Sequence, residues 1–172
     1  NVREKNRDWI PLIYCWRGGQ RSYAFATILD QIGWNVGVVD GGYKSFRKHV
    51  SEFLNNNIEN HFLILITGNT GTAKTKMLNL IEERNGQTID LESLANHKGS
   101  VFGSQGQKQP SQKLFETLIY DKVKNLKTGE PIFVEAESNK IGNLHIPKEF
   151  WKLMKSSPQI EISATVEQRA QF

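Results

Sequence analysis

Apolar residues along this chain cluster in short runs near 10–14, 35–39, 62–67, 87–90, 131–135 and 159–163. Each run has the length of a buried strand. Between them, apolar positions recur at helical spacing over 21–32, 44–54, 75–84, 111–126 and 147–155. Strand and helix alternate throughout, which predicts an α/β fold with parallel sheets and crossover helices. The polar stretch Asn55-Asn-Asn-Ile-Glu-Asn60 interrupts this alternation and predicts a linker over 55–60, between a domain at 1–54 and a second at 61–172. The first lobe holds only two predicted strands. Two parallel strands cannot cover both faces, so this lobe reads as cut from a larger sheet. Residues 97–112 are polar, rich in Gly and Gln and aperiodic, the pattern of a functional or mobile loop.

The bulk numbers change this picture little. The chain has 172 residues, of which 38% are hydrophobic, enough for one ordinary domain or parts of two small ones. A run of 18 apolar residues is absent from the sequence, which argues against a membrane span. The chain begins Asn-Val-Arg with no leader pattern and no initiator Met, so its true start is expected upstream. A single cysteine excludes an internal disulfide, and a reactive thiol fits a reducing, cytoplasmic location. The net charge of +4 permits a nucleic-acid partner without requiring one.

The cysteine is the most informative residue. Cys15-Trp-Arg-Gly-Gly-Gln-Arg21-Ser22 lies between the run Trp9–Tyr14 and the helix expected from Arg21, so the thiol sits in a tight strand-to-helix loop. Two glycines let such a loop close around an anion with its amides inward. The helix N-terminus, Arg17 and Arg21 add positive potential, which lowers a thiol pKa. The alternative is the ordinary state of a lone cysteine, a buried structural thiol.

A second loop follows the run His61–Thr67. Gly68-Asn-Thr-Gly71-Thr-Ala-Lys74-Thr75 leads directly into a helical pattern, the context a phosphate-binding loop requires. Its amides would cradle phosphate oxygens, Lys74 would add charge, and the Thr75 hydroxyl would reach Mg²⁺, the one cofactor the sequence suggests. The expected glycine before the lysine is Ala73, whose methyl is tolerable if its φ is negative. The alternative is a Gly/Thr-rich turn capping an ordinary helix. Asp90, Glu92, His97, Lys98 and Ser100 follow the next strand end and are expected at the same cleft, with His97 a candidate proton carrier. Glu135 and Glu137 are candidates for the acid that orders Mg²⁺, or else solvated charges at a loop start.

These blocks together resemble the tRNA 2-selenouridine synthases. The resemblance rests on Tyr14–Ser22, Gly41-Gly-Tyr-Lys-Ser-Phe-Arg47, the phosphate loop, Asp90–Gly103, Gln109-Pro-Ser-Gln112, Phe115-Glu116 and Val134–Gly142. Their order and spacing match from about residue 9 to about residue 155. The resemblance implies the C-terminal half of a rhodanese-like domain followed by a P-loop NTPase-like parallel-sheet domain that is itself C-terminally incomplete. It implies replacement of the sulfur of wobble 2-thiouridine in tRNA by selenium from selenophosphate, through an S-geranyl intermediate made from geranyl diphosphate. In that scheme Cys15, Arg17 and Arg21 are catalytic, and Gly18 and Gly19 complete the selenophosphate cradle. Gly68, Gly71, Lys74 and Thr75 take the diphosphate, and Lys44 and Arg47 contact the tRNA backbone. Trp16 and Tyr43 are candidates for stacking on an unpaired base. Two departures from the family pattern are Ala73 and Ala136, the latter where an acid is expected.

Three other readings fit parts of the pattern. Cys15, Arg21 and Ser22 match a Cys-x5-Arg phosphatase, which leaves the second loop unexplained. The phosphate loop alone suits a small-molecule kinase. The basic surface alone suits a non-catalytic tRNA-binding fragment.

Overall fold

A computed structural model describes residues 5, 8–69, 71–97 and 108–170. The chain divides into two compact units, residues 1–50 and 51–172. The division falls inside a helix. Residues 55–60 hold the end of that helix and a 3-10 turn, Ile58–Asn60, whose Ile58 is buried.

In the first unit β1 (Leu12–Ile13) pairs in parallel with β2 (Gly37–Val38), and α1 (Gln20–Gln31) crosses between them. The helix α2 (Gly42–Asn56) begins here. The alternation along β1 is inverted relative to a covered sheet. Ile10, Leu12, Tyr14 and Trp16 are 64%, 66%, 63% and 50% exposed. On α1, Tyr23, Phe25 and Ile28 are exposed as well, and so is Ile32 at its C-cap. Apolar side chains on both layers therefore face water, the signature of a surface that seeks cover. We expect the chain to self-associate. Light scattering across a concentration series should show its mean mass rising above one protomer, with dye binding to exposed apolar surface. A constant monomer mass that binds no dye would contradict this.

The second unit is built on a four-stranded, all-parallel sheet. Its strands are β3 (Phe62–Thr67), β4 (Gln87–Ile89), β5 (Pro131–Glu135) and, after a two-stranded insertion, β8 (Gln159–Glu161). Their spatial order is β4-β5-β3-β8. β3 sits inside this sheet because its run Phe-Leu-Ile-Leu-Ile-Thr is apolar on both faces, as strands covered on both sides require. It pairs with β5 from Phe62–Pro131 to Ile66–Glu135 and with β8 from Leu65–Gln159 to Thr67–Glu161. The helices α3 (Lys74–Glu83), α5 (Gln112–Val123) and α6 (Lys148–Ser156) supply the buried Leu78, Phe115, Ile119, Val123, Phe150 and Met154. Leu63, Leu65, Ile66, Ile89, Ile132 and Val134 of the four-stranded sheet are buried with them.

Four short elements carry no periodic signal. These are α4 (Leu91–Leu94), the antiparallel pair β6 (Lys140–Ile141) and β7 (Leu144–His145), and α7 (Val166–Ala170). Side chains fix the β6–β7 turn. The Gln109 amide donates to the carbonyls of Ala95 (3.3 Å) and Ile141 (3.0 Å) and accepts from the Asn143 N–H (2.8 Å). Gln112 bonds both backbone groups of His145, at 2.8 and 2.9 Å. The Gln109–Gln112 block thus staples the insertion to α5. Among the described residues, no helix is long and apolar enough to cross a membrane.

Candidate functional sites at the thiol loop and the phosphate loop

The thiol loop is held by the start of α2. The Tyr43 N–H donates to the Cys15 carbonyl at 2.9 Å, and the Lys44 N–H donates to the Trp16 carbonyl at 3.0 Å. This approach needs glycine. A Cβ on Gly42 would collide with the Cys15 carbonyl and the Gly18 amide, and Gly42 has φ +59°. The Gly41-Gly42 pair therefore sets where the cysteine loop lies.

Cys15 Sγ accepts the Gly19 N–H at 3.3 Å and lies 3.4 Å from the Ser22 hydroxyl. Ser22 is buried, and its hydroxyl also reaches the Gly19 carbonyl at 2.8 Å. With one proton to give, Ser22 donates to the sulfur when Cys15 is a thiolate and to the carbonyl when it is a thiol. The Ser22 hydrogen bond, then the Gly19 amide, bring the Cys15 pKa down to about 6 against a smaller opposing effect of burial. The sequence pointed to arginine charge as the cause. Arg17 instead contributes through its backbone amide. Cys15, Trp16, Arg17, Gly19, Gln20 and Arg21 line a cavity of about 470 Å³. The Gly19 amide is directed at sulfur, and Arg17 and Arg21 are the cationic residues among those that line the cavity. The Trp16 and Tyr43 rings meet each other, with centroids 5.4 Å apart, and Trp16 keeps half its surface exposed.

Because Cys15 is the only cysteine, its alkylation reads this site directly. The thiolate fraction rises with pH, so the rate of iodoacetamide modification should reach half its maximum near pH 6. Ser22→Ala should move that midpoint up toward the ordinary thiol value of about 8.5. A midpoint that Ser22→Ala leaves in place would remove the hydroxyl as the cause.

The phosphate loop lies at the carboxyl end of β3, where parallel sheets place their ligands. Gly68 sits at φ +148°, and a Cβ there would approach the Ile162 carbonyl at 2.5 Å and the Thr72 hydroxyl at 2.7 Å. Lys74 Nζ donates to the Gly68 carbonyl at 3.0 Å and pairs with Glu135 at 3.5 Å. The Thr75 hydroxyl donates to Glu135 at 3.3 Å. Glu135 ends β5, so parallel pairing of β3 with β5 brings residues 60 positions apart into one hydrogen bond.

Ala73, the helix N-cap, adopts a left-handed backbone (φ +63°, ψ +28°). The condition under which its methyl is tolerable, a negative φ, is not met. An L residue there carries about 1–2 kcal/mol of strain. Ala73→Gly relieves it and gives back part through greater unfolded-chain entropy. The net expectation is a gain of about 1 kcal/mol, or about 2–4 °C in Tm. Ala73→Val should shift Tm downward, because a β-branched residue fits this region poorly. Thermal unfolding of both variants checks the opposite signs.

Glu92, Glu135 and Glu137 bring carboxylate oxygens within 4.8 Å of one another. Burial is the main cause that raises Glu137, to about 8, followed by the charges of Glu92 and Glu135; Lys74 opposes them. Glu135 is raised in the same direction and chiefly by burial. All these donors are hard oxygens, with the Thr75 hydroxyl adjacent, and this set fits Mg²⁺. Asp90 is not one of the three, but its charge acts on Glu135 and that of Glu92 acts on it. Its carboxylate caps α4 by accepting the Ser93 N–H at 2.8 Å, and burial raises its pKa. His97 follows α4 with its Nδ1 buried and unpartnered. Lys98 and Ser100 lie outside the described residues. Gly71 has φ +81° and abuts the Arg169 backbone on α7, a neighbour the sequence did not indicate.

The family model for the tRNA 2-selenouridine synthase AAA domain matches residues 61–172. A tRNA 2-selenouridine synthase of Alcanivorax borkumensis is 38% identical over 161 residues, covering 92% of this chain and 43% of that protein. That of Nitrosomonas eutropha is 35% identical over 162 residues, covering 92% and 41%. That of Psychromonas ingrahamii is 33% identical over 180 residues, covering 99% and 48%. The chain thus spans about two fifths to one half of the length of these relatives. No solved structure matches it.

Proposed function

This chain belongs to the tRNA 2-selenouridine synthase family, and from that membership we propose that it serves in exchanging the sulfur of wobble 2-thiouridine in tRNA for selenium. The observation that carries this reading is a thiol with a pKa near 6 in a cavity shared with two arginines. Such a thiol is ionised at neutral pH and is a soft nucleophile suited to chalcogen chemistry. Cys15 engages selenophosphate, and Arg17 and Arg21 neutralise its oxyanion. Gly18 and Gly19 shape the loop, with the Gly19 amide stabilising the thiolate. Residues 1–54 act as the C-terminal half of a rhodanese-like domain, and 61–172 as a P-loop domain.

In the second unit, Gly68, Gly71, Lys74 and Thr75 bind the diphosphate of geranyl diphosphate, which alkylates the thiouridine sulfur. An amide cradle with a lysine recognises diphosphate whether or not a nucleoside is attached. Thr75 and Glu135, with Glu92 and Glu137, would hold Mg²⁺. That ion would supply charge neutralisation on the departing diphosphate. Lys74 meets the same developing charge from the loop side. Asp90 and His97 support the α4 end of the cleft.

The test is mass analysis of tRNA nucleosides after incubation with the full-length protein, selenophosphate and geranyl diphosphate. The expected products are geranylated thiouridine and then selenouridine. Unmodified thiouridine throughout, from protein shown to be folded, would sink the reading. Phosphate release from a phosphopeptide or steady ATP turnover without tRNA would favour the phosphatase or kinase instead.

A further inference from the structure

Arg17 borders two cavities in the first unit. One is the thiol cavity. The other, about 330 Å³, is lined by Arg17, Gly41, Lys44, Ser45 and Lys48. Lys44 and Lys48 are four residues apart on α2 and so share one face of the helix. Arg17 reaches the same cavity because the two backbone bonds from Tyr43 and Lys44 hold its loop against the start of α2. Arg47, the other basic residue of the Gly41–Arg47 block, does not line this cavity.

We propose that Arg17, Lys44 and Lys48 form a pocket for one phosphodiester group of the RNA strand, next to the cavity that holds Cys15. The inference rests on the polynucleotide substrate of the proposed function and assigns it a seat. Three cationic residues line one cavity, and each of the three is exposed. Cationic side chains at an exposed surface site suit a backbone phosphate. The helix N-terminus itself offers little here. The Gly42, Tyr43, Lys44 and Ser45 amides donate to the carbonyls of Val39, Cys15, Trp16 and Gly41. The side chains must therefore supply the recognition. Because Arg17 also lines the thiol cavity, a phosphate in this pocket brings an adjoining nucleotide to the exposed Trp16 and to Cys15. Lys48, which the sequence pattern did not single out, completes the set.

Counterion release distinguishes one seated phosphate from several loose contacts. Each neutralised phosphate contributes about 0.7 to the slope of log K against log salt for single-stranded RNA. If Lys44 and Lys48 grip the same phosphate, the losses of slope in Lys44→Gln and Lys48→Gln should not add, and the double variant should lose no more than one increment of about 0.7. At low salt the double variant should bind roughly tenfold more weakly than wild type. The measurement is fluorescence anisotropy of a labelled tRNA anticodon stem-loop over a salt series, with circular dichroism confirming that each chain is folded. Calorimetric titration with inorganic phosphate forms the second arm. Slope losses that add, one increment per lysine, would overturn the shared pocket. So would unchanged RNA binding in the double variant, or lysine-dependent binding of inorganic phosphate without an effect on RNA. If wild type itself fails to bind the stem-loop, the polynucleotide reading falls and the pocket with it. If wild type binds and the variants match it, only the pocket falls.

Discussion

Cys15→Ser in the full-length protein is expected to reduce selenium incorporation to background, a loss of about three orders of magnitude or more. The substitution exchanges sulfur for oxygen and changes little else. The Tyr43 and Lys44 backbone bonds that hold the loop involve carbonyls that serine retains. The Gly19 amide and the Ser22 hydroxyl remain beside the new hydroxyl. They cannot ionise it near neutrality, because an alcohol starts far from the range that two hydrogen bonds shift. Its nucleophilicity toward a soft chalcogen is also lost. Arg17, Arg21, Lys44 and Lys48 are untouched, so tRNA affinity should stay within about twofold of wild type. Nucleoside mass analysis and a binding titration on the same preparation check both halves. Selenouridine produced by Cys15→Ser at the wild-type rate would remove the thiol from the reaction.

What the sequence made legible divides along physical lines. β3 and β5 occupy the predicted 62–67 and 131–135, because uninterrupted apolar runs of strand length have few other ways to be buried. Helical periodicity located α1, α2, α3, α5 and α6 to within a few residues. β1 and β2 shrink to two residues each, since a strand lasts only as long as its partner's register. The elements that escaped notice, α4, β6–β7 and α7, are too short for any period to show. They are fixed by particular side chains, such as Asp90 capping α4 and Gln109 and Gln112 holding the hairpin.

The site divides the same way. A lone cysteine beside two glycines and two arginines is conspicuous in one dimension, as is a Gly-rich run ending in Lys-Thr. Three features needed the third dimension. Ser22 reaches the sulfur across seven positions because the loop folds back onto the first turn of α1. Gly42 is required because α2 touches the cysteine loop and because its backbone is left-handed. Glu92 and Glu135 are far apart in the chain, and the pairing of β4 with β5 brings them together. The left-handed angle at Ala73 also could not be read from residue type, since alanine there argues for the opposite sign.

Lys74→Ala should impair the geranyl step far more than the selenium step. Lys74 opens α3 at the end of the phosphate loop, with its ammonium bonded to the Gly68 carbonyl and paired with Glu135. A bound diphosphate would draw the same ammonium into a charge-assisted contact worth about 1.5–3 kcal/mol, so its loss should weaken binding roughly ten- to a hundredfold. The variant changes the carboxylates as well. Lys74 is the cation that lowers the pKa of both Glu135 and Glu137 against burial. Without it, Glu137 should hold its proton to higher pH than its present value of about 8, and the cluster should bind Mg²⁺ more weakly at neutral pH. Both effects act on the diphosphate. Neither involves the Gly19, Ser22, Tyr43 and Lys44 groups that bond the thiol loop. Full-length Lys74→Ala supplied with pre-geranylated tRNA should therefore still form selenouridine, while the same variant given thiouridine tRNA and geranyl diphosphate should stall. Single-turnover conversion of the two substrates by one preparation makes the comparison. Equal losses on both would show that the two loops do not divide the reaction, and tight ATP binding that geranyl diphosphate fails to displace would reassign the phosphate loop to a nucleotide.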